Sequence, residues 1–109
     1  MQTPEGREKK AIDKYLKSIN AWYCCPTTFG FGPSGVPDRI VCLNGRLIGI
    51  EVKREGKKPT PIQERRMKAI REAGGIAVWG TAEKVIEEFQ RDYALGSARL
   101  MQAWHDAKK

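Results

Sequence analysis

Asn44-Gly45 constrains this chain more than any other pair of residues in it. The dipeptide joins two β-rich runs, one ending at Leu43 and one beginning at Arg46. A two-residue type I′ turn needs positive φ at both central positions, which Asn and Gly adopt most readily. With that turn at the tip, pairing can be counted outward. Leu43 faces Arg46, Cys42 faces Leu47, and Asp38 arrives opposite Glu51. Side chains alternate along a strand, so Lys53 projects on the same face as Glu51.

Two carboxylates directly opposed on one face repel. A divalent cation reverses the sign of that interaction. Hard cations such as Mg²⁺ are held by one or two carboxylates, with water and phosphate oxygens filling the other positions. A lysine beside the pair can orient or deprotonate water, or stabilise charge building on phosphorus. Asp38, Glu51 and Lys53 therefore point to a metal-dependent phosphodiesterase site. The plain alternative is a turn residue at Asp38 and a surface ion pair between Glu51 and Lys53. So apolar a strand argues against an exposed pair.

The hairpin is apolar on both faces: Val41, Leu43, Ile48, Ile50 and Val52 on one, Ile40, Cys42 and Leu47 on the other. Burial on both sides needs a covering layer on each, which predicts an α/β sandwich. A length of 109 residues suits one domain, 1–109. Lys and Arg number 20 against 13 acids, a formal charge of +7. That excess is the electrostatic footprint of a nucleic-acid binder. No apolar run approaches the roughly 18 residues of a membrane span, and the charged first twenty residues do not read as a signal peptide. A cytoplasmic protein is expected. Cys24, Cys25 and Cys42 lack the spacing of a zinc site or disulfide framework. The single histidine, His105, reads as a solvated tail residue, which excludes Ser-His-Asp chemistry and histidine-dependent nucleases.

Along the chain, Thr3-Pro4-Glu5 opens a helix with a hydroxyl cap, proline at the first position and an acid in the first turn. Ile12, Tyr15, Leu16 and Ile19 form its apolar stripe, and Asn20 ends it. Glu8 lies one turn before Ile12 on the same stripe, which aims it at the metal site. Trp22 to Thr28 supplies a short strand. Phe29 to Gly35 is a glycine-rich loop whose phenylalanines either stack on a base or pack on the domain. Arg54-Glu55-Gly56-Lys57-Lys58 is a charged turn whose cations can meet phosphates flanking a scissile bond. Thr60-Pro61-Ile62-Gln63 forms a capping box at a second helix. On that helix Arg65, Arg66, Lys68 and Arg71 cover the exposed surface, while Ile62, Ala69, Ile70 and Ala73 face the sheet. Gly74-Gly75 stops it. Ile76 to Trp79 is a buried strand, parallel to the Glu51 strand across the intervening helix. Thr81 caps a third helix with Val85, Ile86, Phe89 and Tyr93 buried, and a final helix presents Leu100, Met101 and Trp104.

The string Gly35-Val36-Pro37-Asp38-Arg39, then Glu51-Val52-Lys53-Arg54, then Pro61-Ile62-Gln63, resembles the VRR-NUC branch of the PD-(D/E)xK nucleases in its stand-alone form. The similarity runs from the first helix to the helix after Trp79. The resemblance implies a restriction-endonuclease-like αβββαβ core: a mixed sheet flanked by helices, with C-terminal helices beyond it. It further implies a DNA endonuclease in which Asp38, Glu51 and the Val52 carbonyl bind Mg²⁺ or Mn²⁺. A first-helix glutamate, Glu8 or its rival Glu5, completes the acidic cluster. Gln63 lies beside the site, and Arg39, Arg54, Lys57, Lys58 and Arg66 contact DNA. A homodimer cutting branched or double-stranded DNA, such as a Holliday junction, and leaving a 5′-phosphate completes the expectation. The loop before Gly35 lacks the family's usual basic residues. Two alternatives stay open: a silent DNA-binding module, and a subunit of a larger DNA-processing machine.

Overall fold

Thr3 begins the first helix as anticipated, its hydroxyl accepting the Gly6 N–H at 3.0 Å with Pro4 in the first position. In the computed structural model, which describes residues 2–27 and 34–93 and the side chains of all but the last two, this helix is α1 (Pro4–Ser18). Asn20, at φ 58°, turns the chain out of it. There follow β1 (Trp22–Cys24), β2 (Arg39–Leu43), β3 (Arg46–Val52), α2 (Pro61–Glu72), β4 (Ile76–Gly80) and α3 (Ala82–Glu88). A π-turn, Phe89–Tyr93, continues α3. The aromatic loop residues Phe29 and Phe31, the proposed last helix with Leu100, Met101 and Trp104, and His105 lie outside the described residues.

The sheet has the order β1-β2-β3-β4. The β1–β2 and β2–β3 pairs are antiparallel, and β3–β4 is parallel. Asn44 and Gly45 take φ of 55° and 75° at the hairpin tip. Leu43 pairs with Arg46, Cys42 with Leu47 and Arg39 with Ile50, the register counted from the turn. Among the described residues, three helices on a four-stranded mixed sheet give the expected α/β architecture. Among the described residues no helix is long and apolar enough to cross a membrane.

One sheet face carries the core. Val41, Ile48, Ile50, Val52 and Val78 meet Ile12 and Leu16 of α1 and Val85 and Phe89 from the α3 segment. Tyr15 packs edge-on against Phe89, ring centroids 5.9 Å apart. The opposite face differs from expectation. Among the described residues α2 is the one helix over it, and Cys42 is exposed and Leu47 is 46% exposed. The phase of α2 also differs. Met67 is its buried residue, while Ala69 and Ala73 are exposed. Gln63 turns toward β3, and on a 3.6-residue repeat that brings Met67 and Ile70 to the sheet and leaves Ala69 and Ala73 bordering an open cleft beside Ile40 and Leu47. Gly49 permits this approach: a Cβ there would meet Ile70 Cδ1 at 2.8 Å and Pro37 Cγ at 2.9 Å.

Candidate active site

Asp38 stands one residue before β2, so the observed register carries it opposite Glu51 at the open end of β3. The Val52 N–H donates to Asp38 Oδ2 at 2.7 Å, which fixes the aspartate across the mouth of the hairpin. Glu51 is 2% exposed. Its Oε1 accepts from Gln63 Nε2 at 3.0 Å, whereas its Oε2 is buried with no hydrogen-bond donor among the described residues. Burial, then the charge of Asp38 and the close approach of the two carboxyls, push the Glu51 carboxyl up to about 8. Lys53 opposes that rise and Glu5 adds to it. A buried carboxyl oxygen without a donor, on a group whose ionisation a second carboxylate opposes, suits a proton or a cation.

Gln63 has two roles at once. Its side-chain oxygen accepts the Thr60 N–H at 2.9 Å, closing the capping box, while its amide nitrogen holds Glu51. The cap reading and the site reading of this residue are therefore one arrangement. Lys53 is half-buried on the Glu51 face, and its N–H donates to the Gly80 carbonyl at 2.8 Å.

Helix α1 supplies its acids differently from the sequence expectation. Glu8 Oε1 accepts the Ala82 N–H at 2.8 Å, so Glu8 ties α1 to the start of α3. Glu5 is the first-helix acid whose charge reaches Glu51. Lys9, which the sequence reading did not single out, lies between: its Nζ is 3.7 Å from Glu5 Oε2 and 3.6 Å from Asp38 Oδ1. Among the described residues, no group of three or more His, Cys, Asp or Glu side chains converges as a metal site. The donors on hand are two carboxylates and backbone, a set that leaves positions for water and phosphate and fits Mg²⁺ or Mn²⁺.

Arg39, expected at the DNA surface, is 8% exposed and engaged within the protein. Its Nε and Nη2 donate to both oxygens of Asp13, at 2.6 and 3.0 Å, and Nη1 donates to the Asp38 carbonyl at 2.8 Å. Strand alternation carries the signal that was missed. Arg39 shares the core face with Val41, where a charge must be paired, and Asp13 on α1 is the acid that reaches it. Arg66 is half-buried with Nε donating to the Ser34 carbonyl at 2.7 Å, so it anchors the chain leading into the Pro37-Asp38 corner. Arg54, Lys57 and Lys58 are exposed on the turn after β3.

This arrangement can be set beside known proteins. A solved structure described as a VRR_NUC domain superposes with a TM-score of 0.71 at 28% identity, covering 84% of this chain and 98% of that one. The chain shares the fold of a VRR-NUC domain. A second solved VRR_NUC domain protein shares the fold with a TM-score of 0.68 at 21% identity, over 87% of this chain and 92% of the other. A phage protein named "Putative nuclease p44", from Acyrthosiphon pisum secondary endosymbiont phage 1, is 57% identical over 35 residues. That match spans 38% of the phage protein and 31% of this chain. No family model matches the chain.

Proposed function

We propose that this chain is a nuclease of the VRR-NUC type, a Mg²⁺- or Mn²⁺-dependent endonuclease that hydrolyses phosphodiester bonds in DNA, with branched DNA such as a four-way junction as its preferred substrate. The observation that carries the reading is the buried, donorless Oε2 of Glu51, on a carboxyl that Asp38 faces across the hairpin. Burying an opposed acid pair costs stability, and a cation between them offsets that cost. The likeness to VRR_NUC structures and the nuclease name of the phage relative support the same reading.

Asp38, Glu51 and the Val52 carbonyl would hold the ion, with Glu5 adding negative charge from α1. A divalent cation held there supplies charge that favours ionisation of water and offsets charge on phosphate. Lys53 orients the attacking water or receives its proton on the Glu51 face. Gln63 holds the Glu51 carboxylate in place, and the Thr60 cap holds Gln63. Arg39 and Asp13 fix the Asp38 backbone. Arg54, Lys57 and Lys58 take phosphates flanking the reacting one. A homodimer completes the reading, since paired sites related by a two-fold axis meet both strands of a symmetric substrate.

The test is a panel of labelled linear, flapped and four-way DNAs incubated with Mg²⁺, Mn²⁺ or EDTA. Metal-dependent cutting that Asp38→Asn abolishes, with folding retained, is the expected result. Binding without cutting in either metal would overturn it in favour of a silent DNA-binding module.

A further inference from the structure

Beside the acidic pair, across β4, lies a second cleft of about 380 Å³, within the range of about 300–1,000 Å³ typical of ligand pockets. Trp79 on β4 is in register with Glu51 across the parallel β3–β4 pair. Its side chain therefore leaves the same face of the sheet, about 4.8 Å away in the hydrogen-bonding direction. Arg54, Lys57 and Lys58 line the cleft from the turn that follows Lys53, and Lys84 lines it from α3. The Lys84 ammonium lies 3.5 Å from the centroid of the Trp79 ring. Glu55, Glu83 and Glu87 share the lining, yet none of these four cations comes within ion-pair distance of a carboxylate among the described residues. An aromatic face and unneutralised cations thus border one cavity, one strand away from Glu51.

We propose that this cleft is a subsite for an unpaired nucleotide flanking the scissile phosphate, a proposal that rests on the nuclease reading above. The base stacks on Trp79, and its phosphate meets Lys57, Lys58 and Lys84. Aromatic stacking beside a basic wall is how single strands are held without sequence preference. The flexible stem of Lys84 lets its ammonium leave the ring for the phosphate as the base arrives. The three carboxylates in the lining select against a duplex lying along the cleft, because two backbones need an unbroken run of cations. The subsite would make the enzyme favour, among branched DNAs, those with an unpaired strand or frayed pair next to the cut.

Fluorescence anisotropy in EDTA, where no cutting occurs, tests this with a labelled duplex carrying a short oligothymidine tail and with the same duplex blunt. Trp79→Leu is expected to weaken the tailed duplex about tenfold and the blunt one less than about twofold. Trp79→Phe keeps a ring and retains most of the affinity for the tail. Lys84→Met leaves the tryptophan in place, weakens the tailed duplex selectively and lowers the salt slope by about 1. Should Trp79→Leu fail to fold, Lys84→Met decides by the same comparison. Equal weakening of both duplexes, or none of either, overturns the subsite. A Trp79-dependent tail preference in a protein that never cuts would keep the subsite and sink the nuclease. Metal-dependent cutting with no Trp79 effect would do the reverse, and no binding of either duplex would sink both.

Discussion

Glu51 sets folding against chemistry. Its carboxyl is 2% exposed and one oxygen has no donor, so ionising it without a cation costs stability. The folded value lies above the ordinary 4.5, at about 8. A raised value means the group's contribution is fully present below about 4.5 and is lost as pH rises through about 8. Glu51→Gln removes that loss. In EDTA the variant should match the parent protein at pH 4.5 and below, and exceed it above pH 8 by on the order of a few kcal/mol. It should also lose cutting. Thermal unfolding across that pH range decides the point, and parallel pH profiles for the two proteins would contradict it. Arg39 gives a second residue-scale expectation. Arg39→Met strands Asp13 and frees the Asp38 carbonyl. Because Asp13 is 26% exposed, the cost is set at about 2 kcal/mol, below the usual figure for a fully buried pair. Urea unfolding should show that loss, while the salt dependence of DNA binding stays unchanged.

The elements that place these residues differ in how openly the sequence declares them. The hairpin was legible because Asn44-Gly45 fixes the turn and the turn fixes the register, so the pairing of Asp38 with Glu51 could be counted. Helix starts were legible too, since Thr3, Thr60 and Thr81 each cap through a local hydrogen bond. Helix phase was less so. Ala69 and Met67 are both plausible inward residues by composition, and only the Gln63–Glu51 bond decides which one turns in. The same holds for Glu8: spacing put it on the inward stripe, but whether it met Asp38 or the start of α3 depended on how α1 and α3 dock. Long-range pairings such as Arg39 with Asp13 leave only a demand for a partner. The cap of α2 is where element and site join. Thr60→Ala removes the hydroxyl that receives the Gln63 N–H and should cost about 1 kcal/mol in denaturant unfolding. It should also lower kcat, because Gln63 loses the anchor that aims its amide at Glu51. Thr60→Ser should restore both, and lost stability with unchanged kcat would separate the cap from the site.

At the scale of the whole molecule, a formal charge of +7 coexists with an acidic centre. The two are compatible because they are separated in space. Asp38 and Glu51 are drawn inward at the strand ends, while Arg54, Lys57 and Lys58 stand exposed on the turn beside them. A polyanion is attracted by the turn and reaches the carboxylates only where a cation can intervene. Binding should therefore weaken steeply with salt, each phosphate neutralised contributing about 0.9 to the slope of log K against log salt. Replacing Lys57 and Lys58 together by Ala should lower that slope by up to about 2 and weaken binding alike on every DNA sequence. Fold stability should be unchanged, since both side chains are exposed and, among the described residues, form no ion pair. Anisotropy titrations across a salt series on a junction and a linear duplex measure the slope directly. An unaltered slope would mean that the phosphates run elsewhere on the surface, and that the turn after β3 does not steer DNA to Glu51.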